Sequence, residues 1–177
     1  MTAPTSATPT IRPGLWTVDP QRSRAAFAVK NFLVLSVRGA FPIHEATVSV
    51  GPDGEPTEVR ARMDAAGFTT GNRKRDAHVR NPDFLDAESH PDVLFASTEP
   101  ARPGGGGLWV IRGLLTIRGR ATPITLTTHT VRTSGTVATV RATGTVDRFE
   151  AGLTYGNSFG VSRLATLDLH AELVYAG

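Results

Sequence analysis

Along most of this 177-residue chain, apolar and polar side chains alternate one for one, and a spacing of two satisfies few folds. In 57–65, Val59, Ala61, Met63 and Ala65 are apolar while Glu58, Arg60, Arg62 and Asp64 are charged. Successive side chains of a β-strand point to opposite faces, so this segment reads as a strand buried on one side. The same rhythm sets Trp109, Ile111, Leu115 and Ile117 against Arg112 and Arg118, and it recurs in 138–147 and 166–175. Further strands are expected at 15–19, 25–30, 37–50, 92–98 and 122–132, about nine in all, with turn signals at 51–54, 103–107 and 134–135. Within 37–50 the apolar phase slips from Phe41 and Ile43 to Ala46, Val48 and Val50, which predicts a bulge or bend near Glu45.

One passage breaks the rhythm. Residues 70–86 are polar, turn-rich and compatible with a helix, and a short helix is expected within 72–88, with Asn81 as N-cap, Pro82 at the first position and Asp83 in the first turn. Many consecutive antiparallel strands with one apolar face each form a sandwich or a barrel; closure leaves no exposed edge and is the reading adopted. The fold class is therefore all-β, an antiparallel eight-stranded β-barrel with room for one extra short strand.

Length and composition set further bounds. A chain of this size with 40% apolar and 20% charged residues closes around one core, assigned to 15–177, behind a disordered arm over 1–14 rich in Pro, Thr and Ala. The net charge is +3 and the pI about 9.9, but arginines are scattered and nearly balanced by acids, so no nucleic-acid partner is expected. Cysteine is absent, which excludes disulfides and thiolate metal sites. No stretch of eighteen apolar residues and no signal-like leader is seen, so no transmembrane segment and a cytoplasmic address are expected.

The inward face decides whether the barrel is hollow. Ala61, Ala65, Ala138, Ala142, Gly144, Ala165 and Ala171 are small, and an eight-stranded barrel either fills with its own side chains or holds one small ligand. Small inward residues point to a ligand cavity; the competing reading is that they face large neighbours such as Trp109, Phe27 and Phe41 in a solid core. On the cavity reading the wall comprises Phe27, Val29, Phe41, Ile43, Met63, Phe68, Phe95, Trp109, Ile111, Leu115, Ile117, Val140, Ala142, Leu167 and Leu169.

Several separated motifs in register resemble the YceI-like family of lipid-binding barrels. They are Trp16, Thr17, Val18, Asp19 and Pro20 with Ser23; Phe27; Val37 to Phe41; Thr70, Gly71 and Asn72; Arg75, Asp76, Ala77 and His78; and Phe84. Pro91 with Phe95 to Thr98, Gly113 to Gly119, and Thr122, Pro123 and Ile124 continue the match, which runs over about 15–175. The resemblance implies a lipocalin-like antiparallel barrel whose lumen sequesters or transports a long-chain amphiphile, a polyisoprenoid or isoprenoid quinone, with no cofactor. Relatives are often homodimers and many are periplasmic. Three departures stand out: Arg22 and Asn31 where the family has histidines, and a loose match at 148–152 to its arginine-containing segment.

An amphiphile also needs its polar end satisfied at the mouth, since unpaired buried polar groups are costly. Arg38, Asn72, Arg75, Asp76 and His78 are the headgroup candidates; Arg75 and Asp76 serve equally well to hold their own loop. Asp76, His78 and His90 lack the spacing of a metal site, and none is predicted. The alternative function is a hydrolase or other enzyme acting on a small apolar substrate, with Asp76 and His78 near Ser23, Ser97 or Ser158, although no Gly-x-Ser-x-Gly elbow is present. A docking role for the basic run at Arg73, Lys74 and Arg80 competes with that of a solvated surface.

Overall fold

A computed structural model describes residues 10–31, 35–106, 108–155 and 160–177. Ten strands are formed by the described residues. They are β1 (Gly14–Val18), β2 (Arg24–Asn31), β3 (Leu35–Val50), β4 (Pro56–Asp64), β5 (Asp92–Ser97), β6 (Arg102–Pro103), β7 (Trp109–Ile117), β8 (Arg120–Ser134), β9 (Val137–Asp147) and β10 (Val161–Tyr175). All pairings are antiparallel, in the order β10, β2, β3, β4, β5, β7, β8, β9, and β9 returns to β10. That is a closed eight-stranded barrel, as the alternation implied.

The extra strand has a simple place. β2 pairs with the first half of β3 and the first two-thirds of β10, while β1 pairs with the far ends of the same two strands. Thus β1 and β2 act as one interrupted stave, split by a turn of 3-10 helix at Pro20–Arg22 that Asp19 caps. The slip expected near Glu45 is present, as the register of β3 on β4 shifts between Ile43 and Glu45.

Two expectations need correcting. The helix α1 spans Arg73–Arg80 and its N-cap is Asn72, whose Oδ1 accepts from the Arg75 N–H at 3.1 Å. Asn81, expected to start the helix, ends it instead: its N–H donates to the His78 carbonyl, and Pro82 cannot extend the ladder. Nor is the arm free as far as Gly14. Ile11 is 2% exposed and packs into the far end of the barrel, and the Trp16 indole N–H donates to the Arg12 carbonyl; residues 1–9 lie outside the described residues.

The core is graded along the barrel axis. On β9 and β10, small residues meet large ones across the ladder: Ala138 faces Leu173, Val140 Ala171, Ala142 Leu169 and Gly144 Leu167. Such size matching fills space at crystal-like density. Around Trp109 and Phe95 only about 100 Å³ remains, lined by Ala25, Ala61, Ala142 and Ala171. At this end the small residues therefore accommodate large partners, and the hollow expected from Ala61, Ala138, Ala142, Gly144 and Ala171 is not there.

Candidate ligand cavity

The open space lies at the other end of the barrel. A cavity of about 340 Å³ is walled by Phe27, Val29 and Val37, Gly39, Phe41 from β2 and β3, by Ile117 from β7, by Val146 from β9, and by Val161 and Ala165 from β10. Its cover is the segment between β4 and β5, contributing Phe68, Thr70, Arg75, His78, Val79, Phe84 and Leu85, together with Arg148, Leu153 and Tyr155 from the turn after β9. The size is at the lower end of small-molecule sites and the wall is almost entirely hydrocarbon.

Three phenyl rings form one side. Phe41 lies 4.7 Å from Phe68 and 5.4 Å from Phe27 between ring centroids. Phe68 reaches that position because residue 39 is glycine: a Cβ there would stand 2.2 Å from the ring. Its backbone is held too, since Thr69 and Ala40 exchange N–H···O bonds of 3.1 and 2.9 Å.

Asp76, on the inward side of α1, locks this arrangement. It is 6% exposed, and its carboxylate accepts from the Thr70 N–H at 2.7 Å, the Thr70 hydroxyl at 2.6 Å and the Thr69 hydroxyl at 2.9 Å. Hydrogen bonds from Thr70 hold its pKa below the ordinary 3.8; burial opposes the shift and loses. Arg80 and Arg118 fasten the same segment by donating to the carbonyls of Phe68 at 2.7 Å and Phe84 at 3.0 Å.

The second half of the cover hangs on Arg148, which is 5% exposed. Its guanidinium donates to the carbonyls of Ser162 at 2.8 Å, Leu153 at 2.9 Å, Tyr155 at 3.3 Å and Val161 at 3.4 Å, tying the turn to the start of β10. Desolvation pushes its pKa down. The two halves meet through aromatic rings, with His78 4.6 Å from Tyr155 and 5.7 Å from Phe84.

Of the wall residues expected from sequence, Phe27, Val29, Phe41, Phe68 and Ile117 line this cavity. Ile43, Met63, Phe95, Trp109, Ile111, Leu115, Val140, Ala142, Leu167 and Leu169 surround the small space at the packed end instead. Among headgroup candidates, Arg75 and His78 reach the cavity rim, with Arg75 Nε on the Thr70 hydroxyl at 2.8 Å and His78 Nε2 3.3 Å from Asp83. Asn72 is occupied as a cap and Asp76 as an anchor. Arg38 sits between Val37 and Gly39, both of which line the lumen, so alternation turns it outward.

Arg22 is far from this mouth: it pairs with Glu172 at 3.4 Å beyond the packed end of the barrel. The side chain of Asn31 is outside the described residues. The hydrolytic grouping does not assemble among the described residues. Ser23 Oγ bonds the Glu172 backbone, Ser97 Oγ accepts from the Val59 N–H, and Asp76 bonds threonines while His78 faces Asp83; Ser158 lies outside them. Of the small inward residues named from sequence, Ala165 lines this cavity; Val146 and Arg148 were not expected there, Val146 belonging to a recognised alternating face whose position at the mouth the pattern does not give.

Comparison with known proteins follows the fold. Over 93 residues the chain is 34% identical to a UPF0312 protein of Shewanella denitrificans, covering 52% of this chain and 45% of that one. A UPF0312 protein of Vibrio cholerae is 28% identical over 114 residues, covering 63% and 60%. The chain thus spans about half the length of these curated relatives. Burkholderia cenocepacia BcnA superposes with a TM-score of 0.78 at 24% identity, over 88% of this chain and 98% of that one. A polyisoprenoid binding domain from Saccharophagus degradans, implicated in plant cell wall breakdown, gives 0.72 at 14% identity, over 91% and 98%. The YceI-like domain model matches residues 16–173, nearly the whole described barrel, and the chain belongs to that family.

Proposed function

We propose that this domain binds the hydrocarbon part of a long-chain amphiphile, a polyisoprenoid or a lipid of similar build, in the cavity beneath α1, and sequesters or transports it. One observation carries the reading: an apolar space of about 340 Å³, walled by Phe27, Phe41, Phe68, Val146 and Ala165, with Arg75 and His78 at its rim. Burial of hydrocarbon yields about 0.8 kcal/mol per CH₂, so a branched chain filling such a space binds without catalytic machinery. The polyisoprenoid binding named for the Saccharophagus degradans domain supports the ligand class. No helix among the described residues is long and apolar enough to cross a membrane.

A non-catalytic role agrees with the rim chemistry. Arg148 spends its donors on carbonyls and Asp76 accepts from threonines, which leaves neither poised for proton transfer. Cytoplasmic residence and a homodimer belong to the same reading and are tested by fractionation and by light scattering. The ligand itself is tested by extracting the purified protein into organic solvent and weighing what is released. An isoprenoid or other long-chain amphiphile at near-stoichiometric yield supports the proposal; extraction and reloading that both fail, in protein that remains folded, refute it.

A further inference from the structure

We propose that the outward face of α1, with the cavity rim beside it, docks on a lipid bilayer bearing acidic headgroups; this rests on the lumen reading above. Arg75, His78 and Val79, at i, i+3 and i+4, face the cavity, so α1 is its cover. Arg73, Lys74 and Ala77 fall on the other side of the helix and are exposed. Neither Arg73 nor Lys74 nor Arg75 is within ion-pair distance of a carboxylate among the described residues. The helix's own acid, Asp76, is turned inward and buried.

That placement works against the helix. Three successive cations stand in the first turn, where unpaired N–H groups and the macrodipole favour negative charge. Asn72 caps the Arg75 N–H and Asp76 lies in the same turn, but Asp76 faces inward, so the exposed side of the helix start presents Arg73 and Lys74 with no acid opposite, as a site for an external anionic partner does. Rim side chains say which kind. Tyr155 is 39% exposed with its ring against His78, and Leu164, 53% exposed, stands on the outer face of β10 next to the cavity-lining Ala165. Cations combined with an aromatic ring and an exposed leucine suit the headgroup boundary of a membrane better than a nucleic acid or an acidic peptide. Such docking would bring the mouth to the phase in which a long-chain ligand resides, so hydrocarbon need not cross water.

The test is co-sedimentation of the full chain with phosphatidylcholine vesicles, with and without phosphatidylglycerol. Binding is expected only with phosphatidylglycerol, weakening as salt rises, and about 30-fold weaker for R73Q/K74Q, from two basic residues near an anionic surface. Equal binding to both vesicle types, binding to neither, or an R73Q/K74Q affinity equal to wild type overturns the proposal. So does duplex DNA binding that depends on the same pair in place of vesicle binding. If the double variant melts early, the salt dependence of the wild-type protein decides. Farnesol uptake is followed in parallel and should be unchanged in R73Q/K74Q. In the wild-type protein, absence of vesicle binding with uptake intact sinks the docking surface alone, and vesicle binding without uptake sinks the lumen reading.

Discussion

Replacing Ala165 by Phe tests the position of the ligand site. The Ala165 Cβ projects into the cavity between two ladder neighbours that also line it, Val29 and Val146. A benzene-sized group occupies a cavity of about 150 Å³, so a phenyl ring at 165 consumes nearly half of the roughly 340 Å³ available. It displaces about six carbons of ligand, and at about 0.8 kcal/mol each the loss is about 5 kcal/mol, or more than a thousandfold in affinity. Farnesol titrated into delipidated protein by calorimetry reads this directly. Ala142→Phe serves as the control, because Ala142 faces Leu169 at the packed end; it should cost about 1–3 kcal/mol of stability by overpacking and leave uptake in place. Wild-type uptake by A165F, or uptake abolished by A142F in folded protein, refutes the assignment of the two ends.

Other expectations follow from the cover. Gly39→Ala puts a methyl group into the Phe68 ring and should lower the urea unfolding free energy by about 1–3 kcal/mol. Arg148→Met leaves the buried Leu153 carbonyl and the partly buried Ser162 carbonyl without their donor, costing about 3 kcal/mol and lowering the melting temperature by about 6–12 °C. Asp76→Asn should destabilise at neutral pH. Because the folded pKa of Asp76 lies below the ordinary 3.8, its stabilisation is complete above that value and is lost as pH falls through the lowered pKa. The gap between wild-type and D76N urea midpoints should therefore hold from neutral pH down to mildly acidic conditions and close in strong acid; a gap independent of pH contradicts the anchor role.

What the sequence revealed and what it hid have separate physical causes. Alternation reports which face of a strand a residue occupies, so the barrel, the slip near Glu45 and the inward set were legible. It does not report depth along the axis. Ala142 and Ala165 look alike in the chain, yet Ala142 stands across the ladder from Leu169 near Trp109, whereas Ala165 stands beside Val146 in the open half. Register makes that distinction, and register comes from long-range pairing. The helix start was missed for a similar reason. Both Asn72 and Asn81 are good caps by composition, but Thr69 and Thr70, held by Ala40 and Asp76, present the chain at Asn72 in the capping geometry. Arg148 carries no local sign of burial; its partners are carbonyls, which no side-chain pattern displays.

The most direct test is methyl NMR of the full chain as farnesol is added. Methyl resonances of Val29, Val79, Val146 and Leu153, which wall the wide end, should shift together and saturate, while those of Ile111 and Leu173 at the filled end stay in place. Shifts confined to Ile111 and Leu173, or to outward-facing leucines such as Leu94 and Leu114, would contradict a guest held beneath α1.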